Sequence, residues 1–477
     1  MRIHQLPKEL LDPILRDVSL EAADLAGLAG SCRGLHSPAI VELYSAINLT
    51  CTSTSELPRL QLPIHLLARS CIENPKLASL ITCLSVKGKQ SFWVSIRESK
   101  YLPLWPKAAR PLLSSEDIAV VCQSTHGLDA LKDRTWTQDL QEGNLNAYLA
   151  VLLSTLPNIV SLSLDQDFYR NSPHIMRALK ARCPYRVDSA SPHNVFLNLK
   201  NVHFLPADVS TTDRVIDPAL TTLLLYLPSI EHITSAMISL PSFKWPHQIP
   251  PSCPTLVSLD LPECEMDEKS LARLLATTPS LKKLRYDRHI DLDPSTPNYP
   301  DNLSEWEWFN LPALRKAIAP LQSQLTELRL GVLFFANTAL DVGMDARWGV
   351  KPAFEGFADF TRLEELEVPF VVFPGQTEGR RDRVAELEGL PPALKTLRFR
   401  NDLAEHDTYL WASETALDWL ERLLEQKKIY APNLEELSLV IGENQEFEWD
   451  EHEREHLRQV CAKSGLRCTI SEDNTRA

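Results

Sequence analysis

Apolar residues along most of the chain recur in an L-x-x-L-x-L pattern, in which the last two apolar positions flank one polar position. That alternation predicts a short strand with one buried face and one polar face. Nine copies occur in order, and Ile81-Leu84-Val86 is a further, earlier candidate. The nine are Ile159-Leu162-Leu164, Leu199-Val202-Phe204, Ile230-Ile233-Ser235, Leu256-Leu259-Leu261, Leu281-Leu284-Tyr286, Leu325-Leu328-Leu330, Leu363-Leu366-Val368, Leu394-Leu397-Phe399 and Leu434-Leu437-Leu439.

Helical patterns lie between these copies. Residues 146–155, 270–277 and 415–427 have apolar positions at spacings of three and four, which is typical of an amphipathic helix. Successive copies are about 25 to 45 residues apart, long enough for a strand and a helix. A single copy is also compatible with an ordinary helix, but the ordered series predicts an α/β fold. We expect an irregular leucine-rich-repeat solenoid over residues 51–477, with a concave parallel sheet and helices on the convex side.

The first fifty residues have a different organisation, because three short apolar runs at helical spacing follow one another there. The sequence therefore predicts a small three-helix domain over residues 1–50. The third of these runs extends from Ile40 to Ile47. One interpretation is a helical cap that shields the first repeat of the solenoid, since repeat arrays need such caps.

Composition supports this organisation and excludes several classes of protein. Leu accounts for roughly one of every six of the 477 residues, whereas Gly occurs only 15 times. Neither a G-x-G-x-x-G nor a G-x-x-x-x-G-K-[ST] motif is present, so a nucleotide-binding fold is not indicated, and we expect no cofactor. The net charge of -14 disfavours general nucleic-acid binding.

The cellular setting is predicted from what the sequence lacks. Glu9 and Asp12 interrupt the apolar stretch that a signal peptide would need, and no later stretch approaches 18 apolar residues. The 10 cysteines form no C-x-x-C pair, which argues against a zinc ribbon or a dense disulfide framework. We expect a protein of the cytoplasm or nucleus that has reduced thiols and no membrane contact.

Three segments interrupt the repeats, near residues 87–144, 291–308 and 341–351, and we interpret them as insertions. Insertions of this kind either contribute to binding or are tolerated surface loops. The first contains a basic, aromatic stretch that resembles a single-stranded nucleic-acid surface. Because the whole chain is acidic, a protein-contact loop is the favoured interpretation.

One motif has the spacing of a zinc site. His452-Glu453-Arg454-Glu455-His456 satisfies the H-x-x-E-H pattern, with both histidines one helical turn apart. The motif lies in a strongly acidic segment close to the end of the sequence, so the favoured prediction is a solvated last helix and no metal site. No motif for nucleophilic catalysis was found, and the prediction is a protein that is not an enzyme.

A candidate target-binding surface follows from the repeats, because the polar positions of successive strands share one face. Several of these positions hold charged side chains that suit protein recognition, with arginines able to bind carboxylates or phosphates. The alternative is that these charges only solvate the sheet and satisfy one another. The predicted target-binding residues are Lys283, Arg285, Arg329, Glu367, Arg398 and Arg400.

The N-terminal segment also resembles a known family. Residues 4–49 contain Leu6-Pro7-x-Glu9-Leu10-Leu11, Ile14-Leu15, Asp24-Leu25, Ser31-Cys32-Arg33-x-Leu35 and Leu43-Tyr44, and this succession resembles an F-box. The resemblance implies that the helices bind a Skp-type adaptor and, through it, a cullin scaffold. The adaptor-binding residues that it implies are Leu6, Pro7, Leu10, Ile14, Leu15, Leu25 and Leu35.

The resemblance further implies a function. An F-box followed by leucine-rich repeats would make the chain the non-catalytic substrate receptor of an SCF-type ubiquitin ligase, with an unknown protein as its target. Two alternatives belong to other classes: a repeat scaffold that binds a partner without directing ubiquitination, and an enzyme whose metal ligands would be His452 and His456.

Overall fold

The structure is a computed structural model, and its chain forms two compact units. Unit 1 contains residues 1–207 and 226–230, and unit 2 contains residues 208–225 and 231–477. The residues described are 6–16, 20–51, 63–88, 116, 118, 134–169, 172–182, 196–205, 218–237, 244–291, 309–335, 350–351, 356–372, 389–400, 402, 413–442 and 449–473.

Unit 1 begins with the predicted three helices, α1 (Lys8–Leu15), α2 (Ala22–Ser31) and α3 (Arg33–Ser45). Helix α2 starts with a capping box. The side chain of Glu21 accepts a hydrogen bond from the backbone N–H of Asp24, and the side chain of Asp24 accepts one from the backbone N–H of Glu21. The helices bury a small apolar core because their leucines recur at helical spacing. That core consists of Leu11, Leu15, Leu25 and Leu35.

Four parallel strands follow in unit 1, in the spatial order β1-β2-β3-β4. The prediction that Ile47 belongs to the third helix is wrong. Helix α3 ends at Ser45, and Ile47 lies in β1, where its alternation with Asn48 and Leu49 suits pairing with β2. The strands are β1 (Ala46–Cys51), β2 (Cys83–Gly88), β3 (Ser161–Asp165) and β4 (Asn201–Leu205).

Helices connect these parallel strands. In α7 (Leu145–Thr155) nearly every side chain is buried, because this helix is apolar around its whole circumference. It packs against both α4 (Ile64–Glu73) and α9 (Pro173–Arg182). The described helices of this part of unit 1 are α4 (Ile64–Glu73), α5 (Pro75–Ala78), α6 (Arg134–Gln141), α7 (Leu145–Thr155), α8 (Gln166–Tyr169) and α9 (Pro173–Arg182).

Unit 2 has eight further strands that pair in parallel, in the spatial order β5-β6-β7-β9-β11-β12-β13-β14. A separate pair, β8 with β10, was not predicted. The strands are β5 (His232–Ser235), β6 (Ser258–Cys264), β7 (Lys283–Asp291), β8 (Phe309–Asn310), β9 (Glu327–Phe335), β10 (Val350–Lys351), β11 (Glu365–Pro369), β12 (Thr396–Arg400), β13 (Glu436–Gly442) and β14 (Arg467–Asp473).

The helices of unit 2 agree with the three-and-four spacing of the sequence. The predicted segments 270–277 and 415–427 lie in α11 and α13 to within two residues at each end. The described α-helices are α10 (Pro218–Leu224), α11 (Glu268–Leu275), α12 (Leu311–Ile318), α13 (Ser413–Glu425), α14 (Lys427–Tyr430) and α15 (Glu451–Lys463), and short 3₁₀ helices occupy Ala319–Leu321 and Phe370–Val372.

The prediction of parallel strands at the L-x-x-L-x-L copies is confirmed. In all nine copies, and in Ile81-Leu84-Val86, the last two positions of the pattern lie in a strand and their side chains are buried, although one of these side chains is the polar Ser235. A backbone feature recurs where the strands begin: one carbonyl accepts hydrogen bonds from two successive N–H groups of the next strand. These carbonyls belong to Thr82 and Val160 in unit 1, and to Glu231, Val257, Lys282, Thr326, Glu364 and Lys395 in unit 2.

The insertions are only partly covered by the structure. Residues 89–115, 119–133, 292–308 and 336–349 lie outside the described residues, and so does most of the basic aromatic stretch of the first insertion. Among the described helices, none combines the length and the apolar character that crossing a bilayer requires.

Candidate functional site

The polar positions of the unit 2 strands form two rows across the sheet. Parallel pairing in register brings equivalent residues of neighbouring strands side by side, and alternation turns them to the face opposite the buried leucines. From β6 to β13, row one contains Ser258, Lys283, Glu327, Glu365, Thr396 and Glu436, and row two contains Asp260, Arg285, Arg329, Glu367, Arg398 and Ser438.

Glu327 is the centre of a three-residue ion-pair network. Its Oε2 lies 2.7 Å from Lys283 Nζ, and its Oε1 lies 2.6 Å from Arg329 Nη2. Burial acts to raise the pKa of Glu327, but the hydrogen bond from Lys283 and the charge of Arg329 outweigh it, so the pKa is lowered. The carboxylate therefore stays ionised and holds both cations.

Arg285 pairs with a residue outside the two rows. Its Nη2 and Nε lie 2.7 and 2.9 Å from Oδ2 of Asp287, a side chain that is buried on the same strand. Burial acts to lower the pKa of Arg285, but the charges of Asp287 and Asp260 act to raise it and have the larger effect. The pKa of Arg285 is therefore raised. Asp260 is the more distant of these two, at 3.8 Å from Arg285 Nε.

These residues border a groove of about 250 Å³ across β6, β7 and β9. It is open to solvent and smaller than a pocket for a drug-sized ligand, and its size suits one side chain of a partner. The groove is lined by Ser258, Leu259, Asp260, Lys283, Leu284, Arg285, Glu327 and Arg329.

A cluster of buried charges lies beside the two rows, around Arg400 at the end of β12. Arg400 Nη1 lies 2.9 Å from Glu367 Oε1, and its Nε lies 3.0 Å from Asp402 Oδ2. Burial acts to lower the pKa of Arg400, but the charges of Asp402, Asp287 and Glu367 raise it above the ordinary value. With only 4% of its side chain exposed, Arg400 is a structural ion more than a recognition residue.

A gap between β9 and β11 explains this buried cluster. Their pairing ends at Arg329 and Glu367, after which Asp402 Oδ2 accepts the hydrogen bond of Val332 N at 2.9 Å. Gly331 leaves room for the cluster, because a Cβ at this position would overlap the carboxylate of Asp287 and approach Arg400 Nε to 3.4 Å.

The six predicted target-binding residues therefore divide into two groups. Lys283, Arg285 and Arg329 border the groove, whereas Glu367, Arg398 and Arg400 lie beyond it and pair with one another. Asp260 and Glu327 also line the groove but are not among the six predicted residues, and their positions in the strand register are the signal that could have found them. Asp402 was missed, because it follows the last predicted strand position and nothing in the sequence indicates the gap that it fills.

The seven predicted adaptor-binding residues also divide. Leu15, Leu25 and Leu35 are buried in the core of the three-helix bundle, and Leu6 is half-buried against that core. Pro7, Leu10 and Ile14 are exposed, with 54% exposure at Leu10 and 40% at Ile14. Val41 on α3 is a further exposed apolar residue of the bundle, at 43%. Leu10 and Ile14 lie one helical turn apart on α1 and form an apolar surface that a partner could cover.

The H-x-x-E-H segment lies on α15, where both histidines are exposed. His456 Nε2 pairs with Glu421 Oε1 of α13 at 2.6 Å, and Glu453 closes a capping box with Asp450 at the start of α15. Within the described part of the chain, no group of three or more His, Cys, Asp or Glu side chains is arranged to hold a metal ion.

Comparisons with known proteins identify no family for this chain. No protein-family model matches it, and a search of curated proteins returns no match.

Proposed function

We propose that this protein is the non-catalytic substrate receptor of an SCF-type ubiquitin ligase. Its N-terminal helices bind a Skp-type adaptor, which joins a cullin scaffold, and its repeats bind a target protein. The ligase chemistry belongs to other subunits, and the site of action is the cytoplasm or nucleus. The proposal depends on the F-box resemblance of residues 4–49 and on the exposed apolar surface of the same helices.

The observation that supports adaptor binding most strongly is that α1 has apolar residues on two faces, one buried in the bundle and one exposed to solvent. Leu11 and Leu15 face the bundle core, whereas Leu10 and Ile14, one position earlier in each case, are exposed. A solvent-exposed helix face normally has polar residues at such positions, and contiguous exposed apolar side chains favour association. Adaptor binding would remove this surface from water.

The repeat half of the proposal is a leucine-rich-repeat solenoid. Its support comes from the parallel strands at every L-x-x-L-x-L copy and from the repeated carbonyl that accepts two N–H groups. Each repeat then contributes two buried apolar residues to the core and one or more polar residues to the binding rows. The rows around Lys283, Arg285 and Arg329 are the proposed target-binding face.

Capture of a co-expressed Skp-type adaptor by the full-length protein tests the proposal. Removal of residues 1–50 is a poor variant, because it cuts through β1 and exposes the edge of β2. We therefore use Leu10→Asp with Ile14→Asp, which changes only exposed positions. Leu66→Asp is the matched control, since Leu66 is 45% exposed on α4, outside the three-helix bundle.

We expect the wild type and Leu66→Asp to retain the adaptor, and the double variant to lose it by at least about tenfold, because charged residues would be desolvated at an apolar interface. Equal capture by all three proteins would contradict the proposal. A scaffold without a ligase role is the second candidate, and accumulation of the bound target in cells that express the double variant distinguishes the two. Zinc analysis of the purified protein tests the remaining enzymatic alternative at His452 and His456.

A further inference from the structure

The cations of the two rows and of the buried cluster are already neutralised within the protein. Each has a carboxylate oxygen within 4.0 Å: Lys283 with Glu327, Arg285 with Asp287, Arg329 with Glu327, Arg398 with Glu365, and Arg400 with Glu367 and Asp402.

An acidic segment of a target would therefore have to compete with these internal partners. At the groove it would displace Glu327 from Lys283 and Arg329, or the buried Asp287 from Arg285, and so break contacts of 2.6 to 2.7 Å. A displaced buried carboxylate loses its hydrogen bonds without regaining water, which is costly. The arginines of this face are thus poorly suited to bind an anion.

Asp260 is the exception among the carboxylates of the groove. Its nearest cation is Arg285, whose Nε lies 3.8 Å away and donates instead to Asp287. Within the described part of the chain, Asp260 Oδ1 is shielded from water and has no hydrogen-bond partner. About a third of the side chain, 32%, remains exposed and opens into the groove that it lines.

The surroundings of Asp260 compensate its charge only in part. Burial raises the pKa of this carboxyl, the charges of Arg285 and Arg329 act to lower it, and those of Asp287 and Glu327 raise it again, so that the net change is upward. A cation in the groove would reverse this balance, since it would supply the missing partner to the carboxylate. The net charge of -14 also favours encounter with a basic partner.

We propose that the groove across β6, β7 and β9 binds a Lys or Arg side chain from the target, with Asp260 as its counter-ion. This inference rests on the proposed function, because it specifies the chemistry of the target at the same face. The groove is sized for one long side chain, and the flanking ion pairs hold its walls in place. Recognition of a basic segment, not of an acidic one, follows.

Selection of a displayed dodecamer peptide library on the full-length protein tests this inference. We expect enrichment of Lys and Arg in the selected peptides. The dissociation constant of these peptides should rise about tenfold in Asp260→Asn, which removes the charge and keeps the shape. Asp359→Asn is the matched control, because Asp359 is a carboxylate of unit 2 with 68% side-chain exposure and no place in the groove.

A second variant keeps the test independent of folding. Asp260→Glu keeps the charge, so it should retain the thermal unfolding midpoint to within a few degrees and bind the basic peptides more tightly than Asp260→Asn does. Enrichment of Asp and Glu, absence of selected peptides, or equal binding of basic peptides to the wild type and Asp260→Asn would each overturn the inference.

Adaptor capture on the same preparations separates the two proposals. If the adaptor is retained and no basic residue is selected, the inference fails and the receptor role stands. If the adaptor is not captured but basic peptides bind through Asp260, the receptor role fails and the groove assignment stands.

Discussion

The three-helix bundle and the charged rows of unit 2 are both proposed binding surfaces. They differ in how far contacts within the protein already bury their apolar side chains or pair their charges. In the bundle, Leu10 and Ile14 leave apolar surface in water although the core beside them is complete. In the rows, most ions find a partner on a neighbouring strand. The bundle therefore offers its partner hydrophobic burial, whereas the rows offer mainly shape and one charge that is compensated only in part, that of Asp260.

This difference means that the two surfaces need different criteria for a binding residue. In the bundle the criterion is exposure of an apolar side chain, and in the rows it is the lack of an ion-pair partner within the protein. An exposed leucine that contacts nothing is a candidate for binding, since burying it against a partner is favourable. An arginine on a sheet face is a candidate only if the sheet does not already neutralise it. Arg400 fails this criterion because Glu367 and Asp402 neutralise it, and Arg285 fails it because Asp287 does.

The largest effect is expected at the buried cluster. Arg400→Ala should lower the free energy of unfolding by about 3–5 kcal/mol, because it leaves Glu367, Asp402 and Asp287 without their shared cation. Arg398→Ala removes a cation from the same strand, but its ion pairs are longer and more exposed, so we expect a loss of only about 0–1 kcal/mol. Urea denaturation of both variants measures the difference, and equal losses would contradict the assignment of Arg400 as a structural ion.

An intermediate effect is expected in the bundle, where two adjacent residues of α1 should behave differently. Leu15→Ala should destabilise the bundle by about 2–4 kcal/mol, because Leu15 is buried in its core. Ile14→Ala should cost less than about 1 kcal/mol of stability while weakening adaptor capture. Hydrogen exchange of the amides in residues 8–45 reports the stability, and a destabilisation at Ile14 as large as that at Leu15 would argue against a free binding surface.

The smallest effect on stability is expected at Asp260 and has the opposite sign. Because its folded-state pKa is raised above the ordinary 3.8, the folded chain binds more protons than the unfolded chain as the pH rises from that value. Stability is therefore lost as the pH rises from 3.8 through the folded-state pKa, and the loss is complete above that pKa.

Asp260→Asn removes this cost and should raise the unfolding midpoint at pH 7 by about 1–2 °C. The gain should shrink as the pH falls and disappear below the ordinary pKa of 3.8, where the wild-type carboxyl is protonated in both states. Thermal unfolding at several pH values measures it, with Asp418→Asn as the control, because Asp418 is an exposed carboxylate of α13 that does not line the groove. A lower midpoint at pH 7 would mean that Asp260 is a stabilising ion and not a poised binding group.

The position of most strands could be predicted from the local sequence, whereas the pairing of one strand with another could not. Leu284 and Tyr286, or Leu328 and Leu330, reveal their strands through a local alternation that burial of one face imposes. Ile47 was assigned to a helix, because its apolar spacing continues that of α3 and its partner strand β2 is more than thirty residues away. Local pattern cannot separate these two states when a distant strand decides between them.

The sequence by itself determined the order of parallel strands and helices, the three N-terminal helices, and the row of polar positions that includes Lys283, Arg285 and Arg329. Only the tertiary structure decided which of these residues remain available to a partner. Pairing across strands joins residues that are dozens of positions apart, as with Glu327 and Lys283, and it fills the gap beside Gly331 with Arg400 and Asp402. Because Asp260 alone among the groove carboxylates gains no close partner in that pairing, its role is a property of the fold and not of its local sequence.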